Sequence, residues 1–423
     1  GLPTSIYALG VGQVWISVGL AIGYTISWLV EAPRLRRFSI VANDSITIPQ
    51  YLTNRFLSKS KALQIICAVI FLVAYTVYAA SSVKACGTLF NTVTGMDETA
   101  AMYLASIIII GYTFLGGFSA VCWTDFFQGM LMLGALLIAP IFALFMLQGM
   151  GVHAVDTPDY FNAFSSWKDI VSGLGWGLGY FGMPHIIIRF MSLESQKSLK
   201  KSAKIGITWT VLIVIFAAAV GIIGRLFLGY DEAINGHSLV FITMVRKIFP
   251  GVISGLLLSA VLAASMSTAD SQLLMAASAF ASDVYKPVFR KGKASDKEMM
   301  WAGRIVVLII SVVALIIASN PNSGTIMSLV SNAWGIFGAS FGPAIMLSLF
   351  WKRFTFAGAV AGIVVGAAVD GLWLAFLSGT GIYEIIPAFA ASMIAAIVAS
   401  LLSKKPGKDV EELFDKAVKF EEE

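Results

Sequence analysis

Apolar residues run along this chain in long blocks, separated by short polar stretches that carry most of its charge. A block of about 20 such residues crosses the ~30 Å hydrocarbon layer of a membrane as a helix. Eleven blocks stand out, at residues 5–30, 62–90, 101–118, 123–148, 170–192, 203–229, 250–280, 300–319, 325–351, 357–378 and 383–403. The first is long enough to hold the end of one helix and the whole of a second, with the break near "LGVGQ". A transmembrane barrel would show short alternating segments instead. The pattern predicts an all-α polytopic membrane protein, with one helical domain over 1–403 and a charged tail over 404–423.

Composition agrees. Of 423 residues 58% are hydrophobic and only 13% charged, where a soluble domain carries about a quarter charged residues. The net charge of +5 does not point to nucleic acid, because the basic residues are not gathered on one face or tail. Cys67, Cys86 and Cys122 lie in or beside apolar blocks and read as packing residues, with neither a disulfide nor a metal spacing. The opening "GLPTSIYALG" has no initiator methionine and no signal-peptide pattern, and reads as part of a longer chain.

Basic residues set the expected orientation. The 31–61 loop, the loops near 197–204, 286–297 and 352–353, and the tail together hold 22 of the 29 Lys and Arg residues. The intervening loops hold Lys168, Arg246 and Lys247. Loop 31–61 and the tail are therefore expected in the cytoplasm. The tail "DVEELFDKAVKFEEE" reads as a solvated amphipathic helix.

Three blocks contain polar groups that lipid disfavours; a charge at the bilayer centre costs about 2.5–3.5 kcal/mol on insertion scales. In "SMSTADSQLL", residues 265–274, Ser267, Thr268, Asp270 and Ser271 share one arc of a helix with Ala264, while Leu273 points away. Such oxygens suit a dehydrated hard cation, completed by backbone carbonyls. The competing reading is a helix seam of small and hydroxyl residues. In "GYTFLGGFSAVCWTDFFQG", Gly116-Gly117 divides two apolar runs, and Asp125 near the second start reads as an ion-path acid or as a cap. In "GLGWGLGYFGMPHIIIRF", five glycines and a proline predict an irregular helix lining a cavity. Trp176, Tyr180 and Pro184, four residues apart, would form one wall for a small ring-bearing solute, or else pack in the core. Lys84 reads as a snorkelling residue, Arg189 and His185 as partners of a helix C-terminus, and Gly335, Gly338 and Gly342 as a close-packing face.

"SAVCWTDFFQ", "GWGLGYFGMPHIIIRFM", "LLSAVLAASMSTADSQLL" and "AWGIFGASFGP" closely resemble the sodium:solute symporter family, in its bacterial sodium/proline branch. The resemblance implies two inverted five-helix repeats of the leucine-transporter type and sodium-coupled solute uptake by alternating access. It implies that Ser267 and Thr268 side chains and the Ala264 carbonyl hold sodium, that Trp176, Tyr180, Pro184 and Tyr78 line a proline pocket, and that Asp125 serves ion passage on the cytoplasmic side. Two departures stand out. The family's broken helix, with its aspartate, would lie upstream of Gly1. Asp270 stands where a small neutral residue is expected; it reads as a second cation or proton site with Asp125 and Ser271, or as a partner of Lys84.

The expectation is a multi-pass protein of a bacterial inner membrane that carries L-proline with Na⁺, with lipid as its surroundings and no organic cofactor or nucleic acid. The alternatives are Na⁺- or H⁺-coupled uptake of pantothenate, another amino acid or a carboxylate. A channel lacks its filter repeat here. An enzyme is not expected, since the three histidines are not spaced for zinc and no soluble domain follows.

Overall fold

The computed structural model describes residues 1–420 apart from Glu194 and His237, and for Tyr112, residues 115–121 and Gln196 it describes the backbone alone. The helices are α1 (Leu2–Leu9), α2 (Val14–Ile26), α3 (Ala32–Val41), α4 (Ile48–Arg55), α5 (Ala62–Thr94), α6 (Glu98–Met150), α7 (Trp167–Gly175), α8 (Pro184–Met191), α9 (Gln196–Leu228), α10 (Glu232–Gly236), α11 (Val240–Ile248), α12 (Gly251–Ala279), α13 (Asp296–Ser319), α14 (Ile326–Phe350), α15 (Phe356–Phe376), α16 (Ile385–Leu402) and α17 (Lys408–Lys419). Among the described residues nine helical stretches are long and apolar enough to cross a membrane, which makes this a multi-pass membrane protein.

The break predicted near "LGVGQ" is present. Gly10 takes φ +101°, and a Cβ there would sit 2.7 Å from the Tyr160 carbonyl oxygen, so only glycine permits the kink. Beyond it a 3₁₀ turn, Val11–Gln13, leads into α2, and a π-turn over Ser27–Glu31 carries the chain on into α3. The polar loop expected over 31–61 is thus mostly helix, in α3 and α4.

Two expectations change. The runs 101–118 and 123–148 are joined in α6, which is helical throughout its 53 residues. Glycine weakens a helix in water, but inside lipid the intrahelical bonds have no competitor, so a glycine pair need not interrupt it. The side-chain surroundings of Gly116 and Gly117 lie outside the described residues. A straight helix of that length would reach about 80 Å, far beyond the hydrocarbon thickness. The tail is also more than a solvated helix: in α17 Phe414 is buried edge-on against Phe38 at 5.3 Å.

The basic loops do gather at one end. There Arg34 donates to the Leu349 carbonyl at 2.6 Å, Arg36 to that of Met191 at 2.8 Å and Arg55 to that of Ser348 at 3.1 Å. Guanidinium groups so placed satisfy the carbonyls that helix C-termini leave open.

α14 is the central helix: 78% of its most apolar window is buried, against 28% in α13, α15 and α16. α5, α15 and α16 pack directly against it, and α12 lies beyond α5, packed on α5 and α6. The outer helices show the lipid-facing pattern, as where Ile305, Leu308, Ile309, Val312 and Ile316 of α13 are all exposed.

Candidate functional site

The oxygen-rich stripe of α12 divides into two parts. Thr268 donates its hydroxyl to the Ala264 carbonyl at 2.8 Å, and Ser267 donates to the same carbonyl at 3.2 Å. The two readings of these hydroxyls therefore meet in the same atoms, which bond one turn back and bring three oxygens together. Each hydroxyl oxygen keeps a lone pair for a cation. Ala264 and Thr268 open on a cavity of about 370 Å³, which Tyr78, Ser81 and Ser82 of α5 and Ser265 also line. That size lies in the range of small-ligand pockets. Ser267 does not line it.

Ser271, seven residues beyond Ala264, keeps the same face but lies about 10 Å along the axis, clear of that cavity. Its hydroxyl donates to Asp125 of α6 at 3.2 Å, and Arg189 meets the same carboxylate oxygen at 3.3 Å. Asp125 sits in the interior of α6, so it is not a helix cap. Arg189 lies in the last turn of α8, as the sequence suggests. Cys122 and His185 close around this cluster. Asp270 is fully buried. Lys84 does not reach it; its ammonium donates to Ser323 and to the Gly324 carbonyl beside the start of α14.

The glycine-rich span is irregular, as predicted: α7 gives way to a 3₁₀ turn over Trp176–Phe181, and Pro184 then opens α8. Its glycines do not line a cavity. Gly177 abuts Gly19 and Gly23 of α2, and Gly179 abuts Trp334 and Gly338 of α14. They allow three backbones to pack closely.

Trp176, Tyr180 and Pro184 do not form one flat wall, because a 3₁₀ turn advances about 120° per residue and separates positions that an α-helix would align. Trp176 instead stacks on Tyr383 at 5.0 Å, and Tyr180 meets Trp334 edge-on at 5.0 Å and Tyr24 likewise at 5.0 Å. Trp334 ties the two together, its indole N–H donating to the Trp176 carbonyl at 2.8 Å. Such aromatic pairs are each worth about 0.5–1.5 kcal/mol beyond their buried area. Trp176, Tyr180 and Pro184 do not line the cavity that Tyr78, Ala264 and Thr268 share. Reading the sequence passed over Trp334 and Tyr383. Their signal was an indole and a phenol in otherwise apolar blocks, "SNAWGIFG" and "GIYEIIPAF".

Among the described residues no three His, Cys, Asp or Glu side chains assemble for a metal ion. The cation chemistry on offer is that of hydroxyl, carbonyl and isolated carboxylate oxygens, which suits a hard ion.

Over residues 1–366 the chain matches the description of the sodium:solute symporter family. The chain belongs to that family. It is 42% identical to the high-affinity proline transporter PutP of Bacillus subtilis (strain 168), over 98% of this chain and 89% of that one. It is 43% identical to a sodium/proline symporter of Staphylococcus aureus, over 97% of this chain and 83% of that one. A solved Na⁺-coupled sialic acid symporter, in a substrate-bound outward-open state, superposes with a TM-score of 0.67 at 20% identity, covering 94% of this chain and 91% of its own. MhsT, solved with L-phenylalanine, gives 0.57 at 15% identity, covering 95% of this chain and 97% of its own. These likenesses place the fold among the leucine-transporter-type carriers. As a family member the chain is a transporter and not an enzyme.

Proposed function

We propose that this protein carries L-proline with Na⁺ by alternating access. The observation that carries the reading is the junction of Ala264 and Thr268 with a cavity of about 370 Å³, in a chain 42% identical to a named proline transporter. Sodium is a transported substrate here. The Ala264 carbonyl and the Ser267 and Thr268 hydroxyls supply part of its shell, and Tyr78 puts a phenol at the wall of the same cavity. Trp176 and Tyr180 pack on Trp334, and together with Pro184 they serve the pocket when the helices rearrange. Asp125, Ser271 and the buried Asp270 form the candidates for a second cation or proton site toward the basic end.

Because sodium and proline favour the same conformation, each tightens the other by the same factor. Each charge moved inward gains about 2.3 kcal/mol per 100 mV of membrane potential. The protein lies in a bacterial inner membrane with the basic end, including α17, in the cytoplasm; the alternation of Lys and Arg supports this.

The test is uptake of labelled proline by the full-length protein in proteoliposomes. An imposed Na⁺ gradient should drive accumulation that unlabelled proline abolishes. Accumulation under a proton gradient alone, or competition by pantothenate and not proline, would replace this reading.

A further inference from the structure

Two acids that the sequence reading passed over meet beside the aromatic cluster. Asp370 of α15 and Glu384 at the start of α16 are 1% and 8% exposed. Both face the bare Cα of Gly335 in α14: a Cβ there would lie 2.7 Å from Asp370 Oδ1 and 3.4 Å from Glu384 Oε1. Neither of those oxygens has a hydrogen-bond partner.

Glu384 is also the N-cap residue of α16, where a carboxylate ordinarily accepts from its own helix. It makes no such bond. Its side chain turns inward toward Asp370 instead.

Among the described residues no cation answers these two groups. Glu384 is the one charged group that acts on Asp370 among the described residues, and no basic side chain acts on Glu384. Lys168, at the same end, donates to the Thr380 carbonyl at 2.8 Å. Tyr383 faces both acids, with Tyr78 beyond it, but its hydroxyl is committed to the Ser331 carbonyl at 2.9 Å. α14 presents Gly335 and Trp334 here, neither titratable.

Two carboxylates so buried, each with an unpartnered oxygen and with no counter-charge among the described residues, cannot both stay ionised. One proton solves the problem. It removes one of the two charges and gives that carboxyl an O–H to donate. Two carboxyl groups against apolar side chains and a glycine are too few oxygens for a metal cation's shell.

We propose that Asp370 and Glu384 form a proton-binding site that holds one proton between them and exchanges it with water through Glu384. The site abuts Trp334, which holds Trp176, and Tyr383, which stacks on Trp176. Loss of the proton drives the two acids apart and loosens α15 and α16 from α14. External pH thereby acts on the aromatic cluster. The site does not depend on which solute is carried.

The test is infrared difference spectroscopy of the full-length protein in liposomes. One arm steps pH in sodium-free buffer, and the other steps Na⁺ at fixed pH. The carbonyl band of a protonated carboxylic acid should persist at neutral pH, vanish on alkaline titration and be absent in the Asp370→Asn/Glu384→Gln double variant. If the double variant does not accumulate, Asp370→Asn alone, which keeps the shape, should displace the band. A wild-type spectrum identical to the variant's would overturn the proposal. So would a band that answers Na⁺ and not pH, which would assign the pair to a metal cation. Proline uptake plays no part in either readout, so failure here is separate from failure of the transport reading.

Discussion

The Thr268 hydroxyl donates to the Ala264 carbonyl at 2.8 Å, and both residues open on one cavity. A sodium ion arriving there meets two oxygens already in place. Removing the hydroxyl leaves the helix bonds intact and takes away one ligand. Thr268→Ala should raise the sodium concentration for half-maximal proline uptake by about tenfold or more, roughly 1.4 kcal/mol. Thr268→Ser, which restores the oxygen, should recover most of it. Ser267→Ala should do less, because Ser267 lies off the cavity. Sodium titrations of uptake decide this; an unchanged curve for Thr268→Ala removes the site.

Asp125 accepts from both Arg189 and Ser271, yet the Arg189 side chain is 58% exposed and that of Asp125 19%. A pair whose cation stands this far in solvent contributes only about 0–1 kcal/mol to stability. Asp125→Asn and Arg189→Ala should therefore leave the thermal midpoint nearly unchanged. If the cluster serves ion passage, Asp125→Asn should still slow uptake by roughly tenfold, about 1.4 kcal/mol of barrier. Equal losses of stability and transport would make the pair purely structural.

These two clusters were legible to different degrees. The α12 stripe could be read because an α-helix keeps its 100° step, so residue spacing alone placed Ala264 and Thr268 on one face. What spacing could not show is that Ser271 turns to α6, since that depends on a neighbour 146 residues away. The aromatic wall failed for a local reason. The α-helix gives way to a 3₁₀ turn at Trp176, and the four-residue repeat no longer means a shared face. Asp370 and Glu384 were missed because each acid looks unremarkable alone, and only the packing of α15 and α16 on α14 brings them together.

The tail helix offers a stability test. Phe414 is 7% exposed and packs on Phe38, with the Arg55 guanidinium 4.9 Å from its ring centroid. Arg55 is itself fully buried and holds the Ser348 carbonyl at the end of α14. Phe414→Ala should destabilise the protein by about 3–5 kcal/mol, the usual loss for a buried phenylalanine. Lys352→Met, which breaks an exposed pair with Asp415 at 2.6 Å, should leave the midpoint unchanged. Thermal denaturation in detergent compares them, and a Phe414→Ala midpoint equal to wild type would mean that α17 does not dock.

Gly177 sits where two backbones nearly touch. A Cβ on it would lie 2.5 Å from the Gly19 carbonyl oxygen and 3.3 Å from the Gly23 Cα. Backbone atoms cannot swing aside as a side-chain tip can, so Gly177→Ala must push the 3₁₀ turn away from α2. Overpacking of this kind costs about 1–3 kcal/mol. The same shift would move Trp176, the neighbouring residue, against Trp334, whose indole holds its carbonyl. Gly371 of α15 is the matched control, since a Cβ there meets nothing within 4 Å. Gly371→Ala gains helix propensity worth up to about 1 kcal/mol and should be neutral or stabilising. Gly177→Ala should accumulate poorly, unfold at lower temperature and lose uptake, while Gly371→Ala does none of these. Two variants with equal stability would show that α2 and the 3₁₀ turn are not in backbone contact.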